Sequence, residues 1–344
     1  MDEKKKQRIV WVDWAKTILI ALVCVGHFNS PETQKMLIWG CHMPAFFIIS
    51  GYLYRRHGAW QTIYSFAIPM MFFTAIVFGA HIIQDLIQHG HWDYRLDINH
   101  CWYRLFEQFF LRNGNNPYGI IHVIGIWFVV ALIVARLLSG DLKIFSFTLR
   151  YRYWVLGVLL IWLTIEPLIW DYAPIKDVKL YYGIYAMPFF LAGYILKDLK
   201  LDIHKIRPIV VALLAMIYLL ITLNVPRYDM MNYQCGPTYI VFFVNAICGS
   251  IVLFWFCTWL PQNKIVQTFS IGTLLILTMH MPLDFFILPI FHRIGITPPN
   301  SIFASYLVPW LELIIVLLIC YCPIYWLNKY CPILLGKMKK KKNN

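Results

Sequence analysis

Apolar residues run through this chain in long blocks, and polar residues gather in the gaps between them. A helix rising 1.5 Å per residue needs about 20 apolar residues to cross a hydrocarbon core of about 30 Å. Blocks of that length predict ten membrane-spanning helices, at approximately 9–28, 36–54, 62–83, 119–138, 153–170, 180–196, 208–225, 237–260, 265–290 and 301–327. The connection at 84–118 is the longest. Its WYRLFEQFFLRN stretch mixes aromatic and charged residues as a helix lying on a membrane surface does. The pattern predicts an all-α integral membrane protein with a single polytopic domain over 1–344, a surface connection at 84–118 and a basic tail at 337–344.

Composition agrees, with 60% hydrophobic residues and only 14% charged, against roughly 25% charged in an average soluble domain. Lys and Arg in short loops stay on the cytoplasmic side. Placing both termini inside leaves 21 basic residues on the inner side and 8 on the outer, with Lys16 in the membrane. The chain is therefore expected in the cell (inner) membrane, N-in and C-in. Its +13 net charge needs no nucleic-acid partner, and the KMKKKK tail is expected to meet anionic membrane lipids. The first block has no small-residue cleavage site and carries Asp13 and Lys16, so it is expected to stay in the mature chain. Cys101 and Cys235 are the only cysteine pair placed outside the membrane, where a disulfide between them is one option.

The informative residues are those that interrupt the apolar blocks. The first span reads DWAKTILIALVCVGH from Asp13 to His27. On a helix Lys16 and His27 lie within about 20° of one face and about 16 Å apart along the axis, with Asp13 within about 40° of that line. Alternatively, Asp13 and Lys16 neutralise each other and His27 is an interfacial anchor. Other spans weigh against this alternative. His42 in the second span and His280 in the ninth fall in outer halves at a depth similar to His27, and His122 and Glu166 also fall in outer halves. A lone intramembrane histidine often joins two helices, whereas convergence from several segments marks a functional cavity. Pro44 and Pro282 are placed to kink their helices beside it. The HGHWDYRLDINH stretch matches no metal-ligand spacing and is read as a solvated loop, so no metal is expected. Walker A and G-x-S-x-G patterns are absent. Asp284 and Glu312 receive no role.

These residues resemble the membrane-bound acyltransferase family 3, and are most similar to its fucose 4-O-acetylase-like, polysaccharide O-acetyltransferase branch. Lys16 to His27 is similar to the family's opening motif of a basic residue, ten residues and a histidine, with Arg8 and Asp13 ahead of it. The run of His42, Pro44, Phe46, Phe47, Ser50 and Gly51 resembles H-x-P-x-F-F-x-x-S-G. Trp127 and Phe128, the PFFLAGY run at 188–194, and IGTLLILTMH ending at His280 are similar to weaker family patterns. Lys16 departs from the arginine of many members.

The resemblance implies acyl-CoA, most often acetyl-CoA, as donor substrate, with no tightly bound cofactor, and a sugar or lipid-linked glycan as acceptor. It implies His27 as general base or nucleophile, with Lys16 and Asp13 completing the catalytic group. Arg8, His42, Ser50, Trp127, His280 and Glu166 are expected around the donor or acceptor pocket. Arg55, Arg56, Arg150 and Arg152 are the candidates for the CoA phosphates, through forked guanidinium donors. Two rivals remain at this stage. One is a transporter or flippase for a glycan-linked lipid, and the other is a membrane scaffold whose buried charges only fix helix packing.

Overall fold

A computed structural model describes residues 8–90, 125–169, 178–225, 228–296 and 302–337. His122, Cys101, the connection beyond Gly90 with all of the HGHWDYRLDINH stretch from His91 on, and the KKKK tail lie outside the described residues, while His89, expected in a loop, ends α4. The chain forms α1 (Val10–His27), α2 (Glu32–Trp39), α3 (His42–Tyr52), α4 (Ala59–His89), α5 (Ile126–Arg136), α6 (Phe147–Arg150) and α7 (Arg152–Ile169). It continues with α8 (Tyr181–Asp198), α9 (Pro208–Asn224), α10 (Tyr239–Thr258), α11 (Lys264–Ile271), α12 (Thr273–Arg293) and α13 (Ile302–Tyr330). The one sheet among the described residues pairs β1 (Tyr228–Asp229) with β2 (Gln234–Cys235), antiparallel.

Six helices among the described residues are long and apolar enough to cross a membrane: Val10–His27, Ala59–Ala80, Arg152–Ile169, Tyr239–Thr258, Thr273–Arg293 and Ala304–Tyr330. The protein is thus an all-α membrane protein in outline. Two expected spans are each split into two helices. The second is two helices, because Cys41, at φ −142°, leaves the helical path between α2 and α3. A Cβ on Gly40 would come within 3.0 Å of the Tyr218 hydroxyl, so the chain just before the turn packs closely against α9. The ninth is also split, at Gly272 between α11 and α12, where a Cβ would sit 2.3 Å from Ile324 on α13. Hydropathy runs unbroken through both points, which is why it merges each pair. Further on, α4 outlasts its expected end and stops only at Gly90, whose φ of +70° closes the helix.

Helices α1, α3 and α8 form the centre. Ala15, Leu19, Phe47, Ala45, Phe189 and Phe190 are shut off from the surface, and α3 is buried on nearly every side, as a helix that is apolar all round must be. The tightest packing brings α3 against α8. A Cβ on Gly51 would stand 1.9 Å from the Phe190 carbonyl oxygen, and one on Gly193 only 1.8 Å from that of Ile48. Small residues are what let two backbones approach inside a membrane. The S-G of one family-like run and the A-G of another therefore serve a single interface. Around this centre, Trp154, Val158, Ile161 and Leu168 of α7 and Ile209, Leu213 and Leu220 of α9 turn outward, an apolar girdle suited to lipid rather than water.

The two ends of the described chain meet. Lys337, just after α13, lies within electrostatic range of Arg8 and Asp13. Burial first, and then the Arg8 charge, hold the Lys337 amine below the usual lysine range.

Candidate active site

Three histidines from separate segments meet. His27 is the last residue of α1, His42 the first of α3, and His280 stands within α12. Each uses the same nitrogen in the same way. Nδ1 of His27 lies 2.7 Å from the Val23 carbonyl, that of His42 2.8 Å from Ile38, and that of His280 3.1 Å from Ile276. A carbonyl oxygen only accepts, so each Nδ1 carries the proton and each neutral ring keeps its lone pair on Nε2. The His27 and His280 rings are 5.2 Å apart between centres at 69°. His42 and His280 both lie within electrostatic range of His27. His42 and His280 are 5% and 0% exposed, while His27 is half-buried. Asp229, from the β1–β2 hairpin, also reaches His27 electrostatically.

At the other end of α1 the cations and carboxylate are paired differently from simple mutual neutralisation. Arg8 grips Asp13 with two bonds, Nε to Oδ2 at 2.9 Å and Nη2 to Oδ1 at 2.6 Å. Ser270 Oγ donates to the same carboxylate at 2.6 Å. Lys16 instead donates from Nζ to the Ser270 carbonyl at 2.5 Å. The break after α11 leaves that carbonyl near a helix end, where backbone oxygens lack intrahelical partners. So Asp13 and Lys16 are joined through Ser270.

Lys16 also lines a cavity of about 280 Å³ whose walls include Ile20, Met43, Phe46, Ser50, Phe128 and Leu277, with Leu335 and Gly336 from the C-terminal turn. Ser50 points its hydroxyl back to the Phe46 carbonyl at 2.7 Å. The lining stops short of the three histidines. Met43 directly follows His42, and Leu277 precedes His280 by three residues.

The second cation on the cavity wall is Arg136, to which the sequence reading gave no site role. It is held by Asp141, a carboxylate with no exposed side-chain surface, at 3.2 Å from Nε to Oδ2. Asp141 also accepts from Tyr54 Oη at 2.9 Å, the His57 backbone N–H at 2.7 Å and Thr62 Oγ1 at 2.5 Å. Arg136 in turn donates to the Arg55 carbonyl at 3.1 Å and lies over the Tyr54 ring. One buried carboxylate thus ties the α3–α4 connection to the end of α5. An aspartate five residues after an arginine was the available signal, at a point where the chain leaves regular α-helix for a wider turn at Leu137–Asp141.

The four arginines expected to meet phosphates are not on that wall. Arg55, Arg56 and Arg150 are exposed, and Arg152 is engaged by Asp198. Among the other expected pocket residues, Trp127 packs on Phe128 and Tyr182, one ring away from the cavity. Glu166 is buried beside Tyr181 between α7 and α8.

Comparison with known proteins gives one clear match. A family model described as an acyltransferase domain, of the acyltransferase 3 type, covers residues 9–329. No curated protein and no solved structure matches the chain.

Proposed function

The chain belongs to the acyltransferase 3 family, and on that premise we propose an integral-membrane O-acetyltransferase that crosses the membrane ten times with both termini cytoplasmic. It moves an acetyl group from cytoplasmic acyl-CoA to a hydroxyl of a sugar or surface glycan at the outer face. The observation that carries this proposal is His27, whose Nδ1 is committed to Val23 and whose Nε2 meets no hydrogen-bond partner among the described residues, leaving it to act on a proton or a carbonyl.

The cavity suits the donor. Lys16 and Arg136 provide positive charge for phosphates, Arg136 through its planar fork. The apolar wall from Ile20 to Leu277 suits a pantetheine arm and an acyl group. Lys16 and His27 are about 16 Å apart along α1, comparable to such an arm extended. The thioester then has to pass Met43 and Leu277 to reach the histidines.

In the transfer, Nε2 of His27 takes the proton of the acceptor hydroxyl as that oxygen attacks the thioester carbonyl. The C–S bond breaks, and the imidazolium returns the proton to the departing thiolate. Attack by Nε2 itself, through an acyl-histidine, uses the same lone pair.

The test is incubation of purified protein with acetyl-labelled acetyl-CoA in detergent or nanodiscs. Cleavage of the thioester, with label passing to water or to an added sugar, is the expected result. A thioester left intact overturns the proposal and fits a carrier.

A further inference from the structure

Beyond the cavity and the histidines, the packed pair α12 and α13 carries two carboxyl groups that the mechanism does not use. Asp284 follows His280 by about one helical turn on α12, along the stripe that carries the buried Ile287 and Phe291. Glu312 stands on the buried stripe of α13 with Val308, Val316 and Cys320, and is 1% exposed. The two helices pack together, and the two carboxyls lie within electrostatic range of each other. Both side chains therefore face the protein interior.

Their bonding is incomplete. Both carboxyl oxygens of Glu312, Oδ1 of Asp284 and Nε2 of His280 are shielded from solvent and have no hydrogen-bond partner among the described residues. Buried polar groups are nearly always bonded, so each exception needs a cause. Ionisable groups inside a membrane mark function by default.

The kind of atom left over indicates what is missing. With Nδ1 of His280 already donating, its Nε2 is an acceptor, and the carboxyl oxygens accept in either protonation state or share one proton. A cluster of acceptors calls for a ligand rich in donors. A metal ion is the other such partner, but among the described residues no group of three or more His, Cys, Asp or Glu is placed to hold one. A polyhydroxyl compound has the matching chemistry: vicinal hydroxyls donate to carboxyl oxygens, and His280, one turn before Asp284 and beside His27, offers a further acceptor.

We infer that Asp284 and Glu312, continuing the line of His280 Nε2, form the subsite that grips the hydroxyls of a sugar acceptor and presents one of them to His27. This rests on the proposed transferase activity for its catalytic meaning, although the binding itself does not.

The experiment uses the full chain in nanodiscs with acetyl-CoA and methyl hexopyranosides of gluco, galacto and manno configuration. Glu312→Gln and Asp284→Asn keep side-chain shape, so one can stand in if the other fails to fold. Each is expected to raise the glycoside KM by about tenfold or more, the factor given by about 1.4 kcal/mol, while the acetyl-CoA KM stays within about twofold. A second arm needs no turnover: glycosides raise the unfolding temperature of wild type and fail to raise that of Glu312→Gln. Unchanged glycoside KM in both variants, or equal thermal shifts in wild type and variant, overturns the subsite. So does a wild type that cleaves acetyl-CoA but neither binds nor acetylates any glycoside. A wild type that leaves acetyl-CoA intact yet is stabilised by glycosides through Glu312 upholds the subsite and sinks the transferase proposal instead.

Discussion

The imidazole of His280 stands nearly edge-on to that of His27, with 5.2 Å between ring centres, although 253 residues separate them in the chain. Both rings spend Nδ1 on the carbonyl one turn back in their own helices. Two histidines that only joined α1 to α12 would bond to each other or to the facing backbone. Here each is fixed from its own side, and the Nε2 positions are spared.

Replacing His27 by Ala is accordingly expected to lower acetyl transfer by about 10²–10⁴-fold, the usual contribution of a positioned acid–base group. The ring sits at the end of α1 and is half-buried, so the variant should still insert and elute as a single species. Transfer of label from acetyl-CoA, measured beside size-exclusion profiles, checks both. Full turnover in His27→Ala would refute the assignment.

Lys16 has a different role to lose. Its amine bonds the Ser270 carbonyl and faces the cavity, so Lys16→Ala removes a cation from the donor side and leaves the histidines in place. The acetyl-CoA KM should rise by about tenfold, with a smaller change in kcat. An interaction made equally in ground and transition states shows itself in KM alone. Initial rates against acetyl-CoA concentration measure this, and a kcat collapse at constant KM would place Lys16 in the chemistry instead.

Part of this site was legible in the sequence because charge inside an apolar block is visible against its background. Asp13, Lys16, His27, His42 and His280 all stood out in that way, and the 100° step of a helix put the first three on one face. The breaks at Cys41, just after Gly40, and at Gly272 were hidden, since hydropathy averages over a glycine that merely makes room for Tyr218 or Ile324. Arg136 was hidden for another reason. It sits at a helix end like many inner-side basic residues, and only in the folded chain do its pairing with Asp141 and its place on the cavity wall set it apart from Arg55, Arg56 and Arg150. Asp284 and Glu312 were visible but mute, because their two helices had no stated contact until folded. Central helices such as α3 and α5 are short, and their burial by neighbours, rather than contact with lipid, determined their composition.

The glycine interface yields a stability prediction. Because Gly193 meets the backbone of Ile48 and not a movable side chain, Gly193→Ala forces α3 and α8 apart. Overpacking of this kind costs about 1–3 kcal/mol where side chains can yield, and a backbone clash is at the upper end or beyond. Thermal unfolding in detergent should show a lowered midpoint, whereas Gly157→Ala, with open space around its Cβ position, should not. Equal midpoints for the two variants would contradict the packing described.

The Arg136–Asp141 pair gives the sharpest separation between a positive charge that serves the donor and one that serves topology. Asp141 is fully buried and accepts from Tyr54, His57 and Thr62 as well as pairing with Arg136. Removing one partner of a buried pair strands the other at about 3–5 kcal/mol, so Asp141→Ala should unfold at a markedly lower temperature. Arg136→Gln discards the charge on the cavity wall and by the same argument lowers the unfolding midpoint too, by less because Asp141 keeps its bonds from Tyr54, His57 and Thr62, so its kinetics are read below that midpoint. It is expected to raise the acetyl-CoA KM by about tenfold, the change that follows from losing about 1.4 kcal/mol of binding. Arg150→Gln, exposed and off the cavity, should leave that KM within about twofold. If Arg150→Gln raises KM and Arg136→Gln does not, the phosphates are met outside this cavity and the donor path drawn through Lys16 is wrong.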